Sequence, residues 1–360
     1  MESQSRKLAD LYPEGEYERP LRILVDGRKI FDGGIGVYTR NLLRGLSTVP
    51  SITLGVVLAP GANLSSDWLN KVKVFRDAAR PYSLDEYLRF SSRIPFDEFD
   101  IFHVPHYVLP KRLPIPAVVT VHDLIHVTHP KRWFYPSISK VLINDALRRS
   151  CGVLTVSNSS RDAISSIFPK WADKVRVIPN CIDDSFWTPS HVAPITSEKF
   201  FLCVSSQLSP HKGVQDLISA YIRAGRFNNL PKLILVGQGV KRAAKQLNKL
   251  SGDNPKIEIV GAVSREQLRD FYREAQALVV PSLEEGFCLP VLEAKACGCP
   301  VIARPVSAVC ELLEAGDIKA ANFSTEALEI ALLKGADLFL GKSRGRVSRD
   351  LSLYSQSHFT

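Results

Sequence analysis

The sequence predicts an α/β protein built from two doubly wound domains, on three observations. Its 360 residues exceed what one hydrophobic core comfortably serves, so two domains are expected. Short apolar runs alternate with helix-length stretches through both halves, which implies mostly parallel sheets covered on both faces. The third observation is one stretch. The apolar run Ala277–Val280 is followed by the loop Pro281–Cys288, a short helix with Pro290 at its start and Gly298 at its stop, and a second apolar run, Val301–Ala303. That is a strand, acidic loop, helix, strand unit.

In chain order, residues 1–20 are polar and lack an apolar signal core, so they read as a disordered lead-in. Leu21–Val25 is the first expected strand, Asp26–Gly36 a loop, and Val37–Leu46 a helix. A glycine loop opening a helix lets backbone amides approach a diphosphate. Gly34 and Gly36 are therefore candidates, although the loop is too long and lacks the third glycine of a dinucleotide fingerprint. Further strands are expected at Ile52–Ala59, Val72–Phe75, Ile101–Val104, Ala117–Val121, Val153–Val156 and Val175–Ile178. Helices are expected at Ser83–Ile94, Ile138–Arg149 and Ser159–Phe168. Ligands of such sheets sit beyond the carboxyl ends of the strands. His122 falls at such an end, placed either for acceptor contact and proton transfer or for a hydrogen bond to loop backbone.

Thr188–Lys199 is polar with two prolines and reads as a linker. Phe200–Val204 then begins a second sheet, continued by Leu233–Val236 and Ile257–Val260. Helices are expected at Ser264–Gln276, Ser307–Ala315 and Thr325–Phe339. After the first of these strands, Ser209 is suited to cap a helix and Pro210 to start it, which puts Lys212 in the first turn. A cation there is locally unfavourable unless an anion sits nearby. Glu285 in the acidic loop and Glu293 in the first turn of the following helix can accept hydrogen bonds from a polyol.

Lys and Arg total 46 against 37 Asp and Glu, a net charge of +9. That balance suits a phosphate-bearing substrate first and an anionic membrane surface second. No nucleic-acid module and no long basic run is present. The seven cysteines match neither a zinc ribbon nor a Cys-x-x-Cys pair, and read as free thiols in a reducing compartment. No apolar stretch approaches the roughly 18 residues of a membrane span.

The stretch from Pro281-Ser282 through Glu285-Gly286-Phe287-Cys288-Leu289-Pro290 and Glu293 to Ala294-Lys295-Ala296-Cys297-Gly298-Cys299-Pro300-Val301 resembles the signature of retaining glycosyltransferases of family 4. The family usually has glycine where Cys288 stands. The resemblance implies a GT-B fold, two Rossmann-like domains facing across a cleft. Residues 21–187 would form the acceptor side, 188–199 the linker, 200–340 the nucleotide-sugar side and 341–360 a tail. It implies His122, Glu285 and Lys212 as catalytic residues. Donor contacts are implied for Gly34, Gly36, Gln207, Lys212, Val263, Glu285, Gly286, Phe287, Cys288, Leu289 and Glu293. Gln207 stands where the family often has arginine.

No metal and no cofactor beyond the nucleotide diphosphate sugar are implied. Thr120-Val121-His122-Asp123 and Ser209-Pro210-His211-Lys212-Gly213 look like mannosyltransferase versions, so GDP-mannose is favoured over a UDP-sugar. The implied acceptor is a glycan or a lipid-linked glycan. The implied setting is cytoplasmic, with peripheral contact at the inner membrane face left open. Two other classes stay open: a sugar-nucleotide epimerase or hydrolase on a similar fold, and a catalytically weakened sugar-nucleotide-binding protein.

Overall fold

The computed structural model describes residues 19–63, 67–130, 132–190, 199–226, 228–339 and 351–355. Most of the expected lead-in, linker and tail lies outside the described residues. The chain forms two compact units. One runs to Cys181 and takes in the segment from Leu353, and the other is Ile182–Ser352.

Unit 1 runs β1 (Leu21–Asp26), α1 (Gly33–Leu46), β2 (Ile52–Leu58), β3 (Val72–Arg76), α2 (Leu84–Arg89), β4 (Ile101–Val104), β5 (Ala117–Thr120), α3 (Ile125–Thr128), α4 (Tyr135–Arg149), β6 (Gly152–Thr155), α5 (Asn158–Ile167) and β7 (Val175–Val177). Its seven strands lie in the order β3-β2-β1-β4-β5-β6-β7 and every pairing is parallel. The strands are apolar on both faces because helices cover both. Leu24, Phe102 and Val119 pack in one core with Ile143 and Leu147 of α4. The chain order reverses between β1 and β4, so the ends of those strands form the switch point of this sheet.

Local signals set the helix ends. Ser83 Oγ accepts from the Glu86 N–H to start α2, and Ser157 does the same from Ser160 for α5. Helix α1 starts at Gly33, four residues before the expected Val37, so Gly34 and Gly36 lie in its first turn. Gly36 is there for packing, since a Cβ would sit 2.5 Å from the Ile30 carbonyl oxygen. Helix α4 also begins earlier than expected, with a proline in its first turn. The expected helix Ser83–Ile94 is shorter, passing into a single 3-10 turn at Phe90–Ser92.

Unit 2 runs β8 (Phe200–Val204), α6 (Val214–Gly225), β9 (Lys232–Val236), α7 (Gln238–Arg242), α8 (Ala244–Ser251), β10 (Ile257–Ile259), α9 (Arg265–Glu274), β11 (Ala277–Val280), α10 (Leu289–Ala296), β12 (Val301–Ala303), α11 (Ser307–Cys310), β13 (Ile318–Lys319) and α12 (Thr325–Phe339). Its six strands lie in the order β10-β9-β8-β11-β12-β13, again all parallel. The switch point falls between β8 and β11. Helix α9 begins with a capping box between Ser264 and Gln267. The helix expected over Ser307–Ala315 ends at Cys310, and β13 was not expected. Both sheets, with their alternating helices, make two Rossmann-like domains.

Candidate functional site

The loops after β8 and β11 meet at the switch point of unit 2. Ser209 does not cap a helix there. Pro210–Lys212 is a single 3-10 turn, and Gly213 at φ +63° redirects the chain before α6 begins at Val214. The backbone approach explains the glycine: a Cβ on Gly213 would lie 2.1 Å from the Pro281 carbonyl oxygen. The Leu283 N–H donates to the His211 carbonyl at 2.7 Å. Arg304, almost wholly buried at the end of β12, donates to the Pro281 carbonyl at 3.0 Å and to Asp216 Oδ2 at 2.8 Å. It thereby ties the β11 loop to the first turn of α6.

This stitching brings two expected residues together. Lys212 Nζ lies 2.7 Å and 2.8 Å from the two carboxylate oxygens of Glu285. Ser282 Oγ donates to Glu285 Oε1 at 2.7 Å. The pair is partly exposed, with side-chain accessibilities of 25% for Lys212 and 11% for Glu285. Its charges face each other within reach of an incoming anion or hydroxyl.

Cys288 precedes α10 with φ +75°. A left-handed conformation costs any residue with a Cβ, which is the physical reason glycine suits this position. Gly286, Phe287, Cys288 and Leu289 are buried. The sequence placed Glu293 in the first turn of α10, but it lies in the second turn. Tyr272, fully buried, donates its hydroxyl to Glu293 Oε2 at 3.0 Å. Burial pushes the Glu293 carboxyl up to about 7, with the Tyr272 hydrogen bond and the Arg265 charge opposing. Gln207 is exposed on the β8 loop, which packs so closely on α7 that a Cβ on Gly239 would lie 2.5 Å from the Gln207 Cα. Val263 is half-buried in the loop after β10. All these residues therefore follow the carboxyl ends of β8, β10 and β11.

In unit 1, His122 Nε2 donates to the Pro105 carbonyl at 3.2 Å, the backbone bond that was one of its two readings. This leaves Nδ1 as the acceptor nitrogen. Tyr38 meets the His122 ring edge to face at 4.8 Å. Burial pushes His122 down to about 4, so the imidazole is neutral near pH 7. Beside β1, Arg28 Nη2 bonds Asp26 Oδ2 at 2.6 Å and Glu86 Oε1 at 2.5 Å, and His106 Nε2 lies 3.3 Å from Asp26 Oδ2. Asp26, Glu86 and His106 are the group among the described residues with metal-ligating geometry, and the Arg28 guanidinium occupies the space between Asp26 and Glu86. Burial raises the Asp26 carboxyl, but Arg28 more than reverses this and holds it well below the usual range.

Sequence reasoning missed Arg28, Tyr272 and Arg304. Only Arg304 carried a local signal, as a charge ending the apolar run Val301–Ala303.

Two parallel doubly wound units, together with the family models that match both of them, place the chain in the GT-B glycosyltransferase class. Residues 187–339 match the family described as Glycosyl transferases group 1, and residues 32–186 match Glycosyltransferase Family 4. The chain belongs to the group 1 glycosyltransferases. It is 28% identical over 320 residues to an uncharacterized glycosyltransferase of Methanocaldococcus jannaschii, covering 78% of this chain and 79% of that one. It is 26% identical to an O-antigen chain mannosyltransferase of Salmonella typhimurium, covering 65% of this chain and 64% of the relative. With an O-antigen chain mannosyltransferase of Escherichia coli it shares 28% identity over the same proportions, 65% and 64%. Among solved structures, sucrose-phosphate synthase of Thermosynechococcus elongatus shares the fold at a TM-score of 0.72 and 18% identity, covering 94% of this chain and 96% of that chain. Anabaena HepE in complex with UDP-glucose does so at 0.69 and 18%, covering 94% and 97%.

Proposed function

We propose that the chain transfers a mannosyl unit from GDP-mannose to a glycan or lipid-linked glycan, with retention at the anomeric carbon. The observation that carries this reading is the Lys212–Glu285 pair at the β8/β11 switch point. A diphosphate entering there competes with Glu285 for Lys212. The lysine then meets the charge that develops on the leaving diphosphate, and the released carboxylate is free to accept hydrogen bonds from the sugar hydroxyls. Glu293 holds the ribose hydroxyls, and His122 contacts the sugar or the acceptor.

Because a lysine supplies the cation, the reaction as proposed needs no metal, and turnover should survive a chelator. The two mannosyltransferase relatives support the sugar over glucose, while the UDP-glucose bound in Anabaena HepE keeps a uridine donor in the panel. The test is turnover of GDP-mannose and of UDP-sugars, each with and without polyprenol-linked and polysaccharide acceptors, the product anomer being read by NMR. Acceptor-dependent mannosyl transfer giving the α-anomer is expected. Donor breakdown at the same rate without acceptor would replace transfer by hydrolysis or epimerisation. An inverted product would remove the retaining mechanism.

A further inference from the structure

The buried charge cluster at the end of β1 holds one strained residue at the surface of unit 1. Tyr82, just before α2, sits at φ +65°, an outlier conformation for a bulky side chain. Its N–H donates to Glu86 Oε2 at 2.5 Å, and Glu86 is in turn bonded by Arg28. Strain that a surrounding network maintains marks places where a side chain has to be aimed. The ring aimed here is 38% exposed. The loops after β4 and β5 bring more rings to it. Centroid to centroid, Tyr107 lies 5.3 Å and His126 6.3 Å from Tyr82, and Tyr107 lies 5.7 Å from His126. The Tyr107 hydroxyl and His126 Nδ1 share a hydrogen bond of 2.8 Å, which fixes these two half-buried rings against each other. From the loop after β1, Lys29 Nζ stands 4.8 Å over the Tyr82 ring and bonds Asp32 Oδ2 at 2.9 Å. Burial pushes the Tyr82 hydroxyl well above its ordinary value, and the charges of Tyr107, Asp123, Glu86 and Asp32 add to the rise. Two carboxylates that are not sealed in the fold, Asp32 and Asp123, therefore stand near the rings.

We propose that the Tyr82–Tyr107–His126 ring cluster stacks the terminal pyranose of the acceptor, so that the accepting end is a neutral sugar. The proposal rests on the transferase reading above and narrows its acceptor. One face of a pyranose presents C–H bonds, and these suit the negative face of an aromatic ring. Its hydroxyls donate to carboxylates, as Asp32 and Asp123 can accept. A phosphate fits the same place poorly, because two carboxylates oppose it. Lys29 also differs from Lys212. It is held by a ring as well as by a carboxylate, and its side chain is only 12% exposed. The cluster lies close to His122, which shares the β5 loop with His126. Burial dominates the environment of His122, and the charges of His106 and Lys29 reach it as well. Lys29 stands over Tyr82, and His106 packs on the same ring at 5.3 Å. A sugar on the rings therefore lies near the neutral imidazole.

The test is saturation-transfer NMR of the full chain with the methyl α- and β-glycosides of mannose, glucose, galactose and N-acetylglucosamine. Geranyl phosphate serves as the sugar-free competitor. At least one glycoside should bind, with the strongest transfer to the C–H protons of one ring face, and geranyl phosphate should not displace it. Tyr82→Gly removes the ring at a position whose positive φ glycine adopts freely, so its melting temperature should stay close to wild type. It should weaken glycoside binding about tenfold, and Tyr82→Phe, which keeps the ring, should restore it. His126→Ala repeats the test at a second ring should Tyr82→Gly fold poorly. Calorimetric affinity for GDP-mannose should be the same in all four proteins. No binding of any glycoside, glycoside binding that survives loss of the rings, or displacement by geranyl phosphate would each overturn the proposal. A chain that binds glycosides through these rings but binds no nucleotide sugar would overturn the donor reading alone.

Discussion

At the end of β1, beside β4, unit 1 holds Asp26, Arg28, Glu86 and His106, all buried. At the end of β8, beside β11, unit 2 holds Lys212 and Glu285, both partly exposed. The architecture and the switch-point position are the same, and in both places a cation faces carboxylates. The difference lies in how completely the charges are satisfied from within. Arg28 reaches Asp26, Glu86, the Ala79 carbonyl and, at 3.6 Å, Asp77, so its donors are used inside the fold. Lys212 meets both carboxylate oxygens of Glu285, and the two side chains are 25% and 11% exposed. Sealing suits the unit 1 cluster to a structural clamp, while partial exposure suits the unit 2 pair to the diphosphate binding proposed above.

The sharpest way to break this contrast is to remove the cation from each unit in turn. Arg28→Ala strands buried carboxylates without a partner, and breaking a buried ion network of this kind costs about 3–5 kcal/mol. Calorimetric melting should show a large fall, and an unchanged melting temperature would show that the cluster is no clamp. Lys212→Ala should do the reverse. Turnover should drop about 10²–10³-fold, as for loss of one transition-state charge contact, while melting changes little. Turnover within twofold of wild type would remove the diphosphate role.

Glu293 sharpens the comparison inside unit 2, because here an acid is held without a cation in direct contact. Its folded pKa of about 7 lies above the ordinary carboxyl value of 4.5. A raised acid favours the folded state fully below its unfolded pKa, and that advantage is lost as pH rises through about 7. Glu293→Gln should therefore raise stability on the order of 3 kcal/mol at pH 8 and leave it unchanged at pH 4, while weakening donor binding. Equal melting temperatures for the two proteins at pH 8 would contradict the raised pKa. The smallest effect is expected at Cys288. Cys288→Val should cost about 1–2 kcal/mol, since a β-branched residue is poorly tolerated at positive φ, whereas Cys288→Gly should keep full turnover. A valine variant as stable as wild type would show that the turn relaxes.

Most of the fold was legible because buried parallel strands read as short apolar runs, and of the thirteen strands among the described residues only Ile318–Lys319 had no run to announce it. It is two residues long, too short for any periodic pattern. The end of the Ser307 helix and the start of α6 were misplaced for local reasons. At α6 the positive φ of Gly213 overrode a good capping signal at Ser209. In the site, Lys212, Glu285 and Glu293 stood out by residue type and position. Their partners did not, since these contacts join distant parts of the chain: 73 residues separate Lys212 from Glu285, 21 separate Tyr272 from Glu293, and 88 separate Asp216 from Arg304. Spacing along the chain carries no record of such pairs until the sheet order is known.

In the proposed function the Lys212–Glu285 pair of unit 2 exchanges its carboxylate for a diphosphate. Calorimetric titration of GDP-mannose and UDP-sugars into the wild-type chain and Lys212→Ala tests this most directly. Binding of a nucleotide diphosphate sugar to the wild type, weakened at least about tenfold in the variant, is the predicted result. Equal affinity in the two proteins, or no binding of any donor to the wild type, would contradict it.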